Sequence, residues 1–147
     1  MEPSKQYYPP MHTAEHILNQ TMVRMFGCNR SFNNHIEKKK SKCDYYFDRN
    51  LTDEEAKALE IEVNTVIKQK LDVSEITMDR AEALKTFNLD KLPDQTGDKI
   101  RIIRIGDYDA CPCIGAHTKN TSEIGTFTIS TCSFENGVLR IRFKLAE

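Results

Sequence analysis

Gly125-Thr-Phe-Thr-Ile-Ser-Thr131 and Val138-Leu-Arg-Ile-Arg-Phe-Lys-Leu145, joined through Glu135-Asn136-Gly137, form the passage on which the architecture turns. Each arm alternates apolar and polar residues, the period-two pattern of a half-buried strand. Asn-Gly between two such arms is the strongest short hairpin signal. The chain therefore ends on an antiparallel pair. Lys99-Ile-Arg-Ile-Ile-Arg-Ile105 reads as another strand, and Val73-Ser-Glu-Ile76-Thr-Met78 as a short one. Residues 31–50 predict a further hairpin, with Lys38-Lys39-Lys40-Ser41-Lys42 as its turn and Cys43-Asp44-Tyr45-Tyr46-Phe47-Asp48 as the return strand.

Between these strands the period lengthens. A helix is predicted from close to His12, with Ile17, Leu18, Thr21, Met22, Met25 and Phe26 inward and Asn19, Gln20 and Arg24 facing water. Gly27 supplies its left-handed cap. Thr52 and Glu55 form a capping box opening a second helix over roughly 53–71, striped by Leu59, Val63, Val66, Ile67 and Leu71. Asp79, with Glu82 three positions on, predicts the cap of a third. Residues 88–98 and 106–122 read as loops, and Pro9 and Pro10 keep residues 1–10 extended. The expected fold is a single α+β domain over 11–147: a largely antiparallel sheet packed with two to three helices.

At 147 residues, 39% apolar and 29% charged, the chain can bury a core, and its composition is neither disordered nor fibrous. A formal net charge of −1 gives no global basic field for nucleic acid, although a local patch is compatible with it. No apolar run reaches the roughly 18 residues that span a bilayer, so no membrane partner is expected. Residues 1–10 have no apolar signal-peptide region, and the expectation is a reducing cytoplasm. Five cysteines with irregular spacing then read as free thiols or metal ligands; Cys28, Cys43 and Cys132 fall in or beside predicted elements and read as core thiols.

Two stretches carry chemistry. In Met11-His12-Thr-Ala-Glu15-His16-Ile-Leu18 the histidines lie four apart, side by side on one helix face. Cys113-Ile-Gly-Ala-His117 lies in a loop with Gly and Pro that can bend both side chains toward one point. The chain has four histidines, and three fall in these two motifs. Together they make an N/S donor set suited to tetrahedral zinc. Cys111-Pro112-Cys113 offers a second thiol, so at this level either cysteine could be the ligand. His12-Thr-Ala-Glu15-His16 also matches H-x-x-E-H, an inverted zinc-peptidase signature with Glu15 as general base. That reading needs a downstream acid such as Glu82 as third ligand and leaves Cys113 and His117 without a role. Glu15 otherwise reads as a first-turn acid favourable to the helix dipole.

His12-Thr-Ala-Glu-His-Ile-Leu18, followed about 100 residues later by Cys113-Ile-Gly-Ala-His117-Thr-Lys-Asn-Thr-Ser-Glu-Ile124-Gly125, resembles the editing domain of alanyl-tRNA synthetase. The related domain of threonyl-tRNA synthetase is similar, and so are the short stand-alone alanyl-tRNA editing proteins of the AlaX type. The resemblance spans roughly 11–145. It implies zinc held by His12, His16, Cys113 and His117, and hydrolysis of the ester joining serine or glycine to tRNA for alanine. No catalytic residue is implied beyond the zinc-bound water, with Glu15 the one side-chain candidate. Family loops commonly read Cys-Gly-Gly-Thr-His, whereas Ile114 and Ala116 stand here for a Gly and the Thr, and the position of Glu15 is usually small or neutral. Both changes bear on pocket shape and on which amino acid is removed. Ser31 is a candidate contact for a substrate hydroxyl, since a pocket that hydrogen-bonds a hydroxyl rejects the analogue lacking it. Lys38, Lys39, Lys40 and Lys42 are candidate tRNA contacts, with Arg140, Arg142 and Lys144 along one strand face as a second basic row. The alternative is a non-catalytic, zinc-stabilised tRNA-binding module.

Overall fold

The structure, a computed structural model, describes residues 8–87, 98–113 and 115–146. Helix α1 spans Pro9–Phe26. It starts three residues ahead of His12, because prolines at the first helical positions have φ already set and need no N–H partner there. Residues 9–10 are therefore helical, and 1–7 lie outside the described residues. Gly27 ends α1 at φ 70°, its N–H donating to the Val23 carbonyl. Met11, Ala14, Ile17, Leu18 and Met22 are fully buried. Two side chains depart from the sequence expectation. Asn19 is buried because it bonds to Glu15 and to the Ser31 backbone, and Met25 is 38% exposed.

Strand β1 (Asn33–His35) pairs antiparallel with β2 (Ser41–Tyr46). The reversal lies earlier than the lysine run suggests. Ser41 and Lys42 already belong to β2, and Ser41 Oγ closes the turn by bonding both the N–H and the carbonyl of Glu37. Helix α2 (Asp53–Lys68) opens on the expected capping box: Thr52 Oγ1 accepts from Glu55 N at 3.1 Å, and Glu55 Oε1 accepts from Thr52 N at 2.9 Å. Arg49 grips the same carboxylate at 2.7 and 2.9 Å.

Thr52→Ala should cost about 1 kcal/mol, a fall of roughly 2–4 °C in Tm by thermal unfolding. The Glu55 carboxyl, bonded first by Arg49 and then by the Thr52 N–H, is pulled down to about 2. Its contribution is therefore full above the ordinary carboxyl range and fades as pH falls toward 2. The Tm gap between wild type and Glu55→Gln should shrink between pH 7 and pH 2.5.

The remaining strands are β3 (Val73–Asp79), β4 (Lys99–Ile105), β5 (Asp109–Pro112), β6 (Thr126–Glu135) and β7 (Val138–Ala146), with the short helix α3 (Arg80–Leu84) after β3. They form two antiparallel sheets, β1-β2-β7-β6 and β3-β4-β5. The β6–β7 turn carries Asn136 and Gly137 at φ 52° and 81°, the positive pair that the Asn-Gly signal predicts. Asp79 makes no side-chain cap to α3; its carboxylate pairs instead with Lys99 across β3 and β4. Strand β5 lies where a loop is predicted. Among the described residues it pairs only with β4, and an edge position tolerates Pro112. The loop expected over 88–98 falls, but for Asp98, outside the described residues.

Helices α1 and α2 cover the larger sheet. Their inward residues form one core with Tyr45, Phe127, Leu139, Ile141 and Phe143. Asn64 pins α2 to β6, donating to the Phe127 carbonyl at 2.8 Å and accepting from the Phe127 N–H at 2.9 Å. A smaller core of Ala83, Ile100 and Ile102 lies under α3. Among the described residues no helix is long and apolar enough to cross a membrane.

Candidate metal centre

The second turn of α1 faces the segment leaving β5, and the two sequence motifs meet there. One donor atom from each of His12, His16, Cys113 and His117 lies within 4.8 Å of every other. Cys113 Sγ is 3.6 Å from His12 Nε2 and 3.3 Å from His117 Nε2. The edges of a tetrahedron with Zn–N of about 2.0–2.1 Å and Zn–S of about 2.3 Å run to about 3.3–3.8 Å. The sulfur and both nitrogens already stand at that spacing. The His12 and His117 rings stack at 4.5 Å, and His16 meets His117 edge-on at 4.6 Å.

The outward nitrogens are held as well. His12 Nδ1 lies 3.3 Å from the Ala116 carbonyl, and His117 Nδ1 lies 3.4 Å from Thr13 Oγ1. His16 Nδ1 lies 3.5 Å from Asp109 Oδ2, a long contact in which the nitrogen forms no well-shaped hydrogen bond. Each imidazole thus has an oxygen at Nδ1, the arrangement that orients metal-binding histidines. Thr13 also docks the loop on α1, accepting from the N–H and hydroxyl of Thr118 at 3.1 and 3.2 Å. Arg101 on β4 clamps the loop from below. Its Nη1 donates to the Cys113 and Gly115 carbonyls at 3.3 and 2.7 Å, while Nε and Nη2 hold Glu75 at 3.0 and 3.1 Å.

Electrostatics follow from this packing. Burial alone would raise the Cys113 thiol, but the imidazoles of His117, His12 and His16 overcome it and bring it down to about 3. The sulfur is a thiolate at neutral pH. Burial opposes charge on His16 too, yet Asp109 and Cys113 raise it to about 10. His12 is also raised against burial, by Cys113 and Glu15, whereas burial lowers His117. Donor chemistry and spacing therefore suit zinc.

Asp109 was not distinguishable from other loop acids by sequence. Its side chain is fully buried, bonded by Arg30 at 2.7 and 3.3 Å and by Gln20 Nε2 at 2.8 Å. Glu15 is no first-turn surface acid. With α1 starting at Pro9 it sits in the second turn, 5% exposed. Its Oε2 accepts from Asn19 Nδ2 at 3.2 Å and from Asn34 Nδ2, while Oε1 lies 3.5 Å from His12 Nε2. Ser31 precedes β1 and is 1% exposed; its Oγ donates to Asn34 Oδ1 at 3.0 Å. A polar chain thus runs from Ser31 through Asn34 and Glu15 to His12.

The other candidates separate. Cys111 is outside the four-donor group, its Sγ donating to its neighbour's carbonyl, and burial raises its thiol. Of the remaining cysteines, Cys43 is buried, while Cys28 and Cys132 are half-buried against the main core. Glu82 lies exposed on α3, paired with Lys85 at 3.6 Å, so the peptidase ligand set does not assemble. Lys38, Lys39 and Lys40 are exposed in the β1–β2 turn, whereas Lys42 is half-buried and 3.7 Å from Asp44. Arg140 is committed to the same Asp44 at 2.8 and 3.0 Å, and Arg142 and Lys144 are exposed on β7.

Fold and cluster together define a small α+β domain with a His3Cys metal-type site between its first helix and a late loop. Residues 100–142 match the family described as the threonyl and alanyl tRNA synthetase second additional domain. The chain is 32% identical over 138 residues to the alanine–tRNA ligase of Alkaliphilus metalliredigens, covering 88% of this chain and 15% of that protein. It is 30% identical over 134 residues to that of Borreliella burgdorferi, covering 90% and 23%. It is 34% identical to that of Halalkalibacterium halodurans, covering 88% and 15%. The chain thus spans less than a quarter of the length of these relatives. Similarity to the second additional domain of the threonyl and alanyl tRNA synthetases thus falls on residues 100–142, and similarity to alanine–tRNA ligases on nearly nine-tenths of the chain.

Proposed function

We propose that this chain hydrolyses the ester of mischarged tRNA for alanine, removing serine or glycine, with zinc held by His12, His16, Cys113 and His117. The observation that carries the reading is the convergence of these four donors with an oxygen at each outward imidazole nitrogen. When bound, zinc supplies Lewis acidity at the ester. Glu15 Oε1 is the carboxylate oxygen left uncommitted by Asn19 and Asn34. It takes a proton from the water that attacks the ester carbonyl. As the C–O bond to the ribose breaks, the proton passes to the departing tRNA oxygen, leaving free amino acid and tRNA. Ser31 and Asn34 act through Glu15 as positioning residues. Four protein donors also suit a closed structural site in a tRNA-binding module; the buried carboxylate beside the cluster favours the hydrolase.

Purified protein should release serine from seryl-tRNA for alanine well above the spontaneous rate, spare alanyl-tRNA, and stop with a chelator. Loss of neither ester by protein carrying one zinc would leave the binding module standing. Glu15→Gln should lower kcat by about 100-fold or more with zinc content unchanged. An unchanged kcat would remove Glu15 from the reaction.

A further inference from the structure

A cavity of about 560 Å³ is lined by Tyr8, Lys38, Lys39, Glu123, Ile124 and Leu145 among others. Its lining includes chain neighbours of both donor motifs. Tyr8 lies one helical turn before His12, whose N–H bonds the Tyr8 carbonyl at 3.0 Å. Residues 122–125, which follow the His117 loop, also line it. Thr121 anchors that segment, donating to the Ile67 carbonyl and accepting from the Leu71 N–H, both at 2.9 Å.

The lining has a definite chemistry. Ile124 and Leu145 are apolar, Tyr8 offers a half-buried ring, and the Lys38 ammonium stands 5.8 Å from that ring's centroid. Among the described residues, neither Lys38 nor Lys39 makes an ion pair. The carboxylate of Glu123, the acid among the described lining residues, is turned to the Lys119 and Asn120 N–H groups at 3.1 and 3.0 Å. An aromatic face with an apolar wall and two unpaired cations at its rim suits a nucleobase with its phosphate, and the volume falls in the range of single-ligand sites.

We propose that this cavity takes a nucleotide of the single-stranded 3′ tail of the tRNA acceptor arm, with its base against Tyr8 and its phosphate on Lys38 and Lys39. The proposal rests on the tRNA reading above and assigns where the tail enters. It also divides the lysine run, since Lys42 is turned to Asp44 in β2.

The test measures binding of two uncharged hairpin RNAs by fluorescence anisotropy. One carries the acceptor stem with its 3′ tail, and the other is blunt. Wild type should bind the tailed RNA about tenfold more tightly. Tyr8→Ala and the double variant Lys38→Gln/Lys39→Gln should lose that preference while binding the blunt RNA as wild type does. The double variant's dependence of log K on log salt should flatten by about 1 to 1.5 for the tailed RNA alone. Zinc content should be unchanged in all three proteins, which separates a lost pocket from a lost fold. Equal affinity of wild type for both RNAs, or an equal loss on both by the variants, would overturn the proposal. Tail-dependent binding without turnover would sink the hydrolase reading and leave this one intact.

Discussion

Cys113→Ala is expected to empty the metal site and to reduce ester hydrolysis to the spontaneous rate, whereas Cys111→Ala should leave both as they are. The thiolate is the one anionic member of the four donors, and it lies within 3.6 Å of two imidazole nitrogens. Without it, the donor set keeps three imidazoles and loses its one anionic ligand. Loss of an outer partner alone costs about 10–100-fold in metal affinity, so loss of this donor should exceed that range. Zinc per chain after dialysis is the direct readout. Thermal unfolding gives a second. At 1,000 Kd of free metal, binding adds about 4 kcal/mol of stability. A chelator should therefore lower the wild-type Tm by roughly 8–16 °C and leave that of Cys113→Ala unmoved. Zinc retained by Cys113→Ala but lost by Cys111→Ala would reverse the ligand assignment. Zinc retained by both would place the metal elsewhere.

The contrast between those two cysteines shows where sequence carries information. Cys111 and Cys113 are indistinguishable as letters two apart. They differ because β5 pairs with β4 as far as Pro112, after which Arg101 bends the backbone and turns Cys113 toward α1. The strand itself was hidden. Asp109-Ala-Cys-Pro112 has no alternation and contains a proline, so only its pairing to β4 reveals it. By contrast, α2 and the β6–β7 hairpin were legible because their signals are local: a capping box, an apolar stripe, an Asn-Gly turn. The two-histidine helix face was local as well. What holds those histidines was not, since the Ala116 carbonyl faces His12 across a sequence separation of 104 and the Asp109 carboxylate reaches His16 from far downstream. Glu15 was misplaced for a related reason. Two prolines moved the helix start forward, and its burial depends on Asn34, which belongs to β1.

Asp109 is the residue whose removal should cost most in stability. It is a fully buried carboxylate that holds Arg30 and Gln20 and faces His16 Nδ1. Burial would raise its carboxyl, but His16 and Arg30 hold it well below the ordinary range, so it is ionised throughout neutral conditions. Asp109→Ala leaves a largely enclosed guanidinium without its counter-charge. Breaking such a pair from one side costs about 3–5 kcal/mol, or roughly 6–20 °C of Tm. The same change frees the His16 ring, so metal affinity should fall about 10–100-fold. One variant cannot separate these effects, but the double change Asp109→Leu/Arg30→Met can. Replacing both charges with apolar groups removes the uncompensated cation and should recover most of the lost stability. It restores no oxygen at His16 Nδ1, so zinc affinity should stay low. Recovery of affinity along with stability would make Asp109 only a partner for Arg30. Recovery of stability alone would make it the group that aims His16 at the metal.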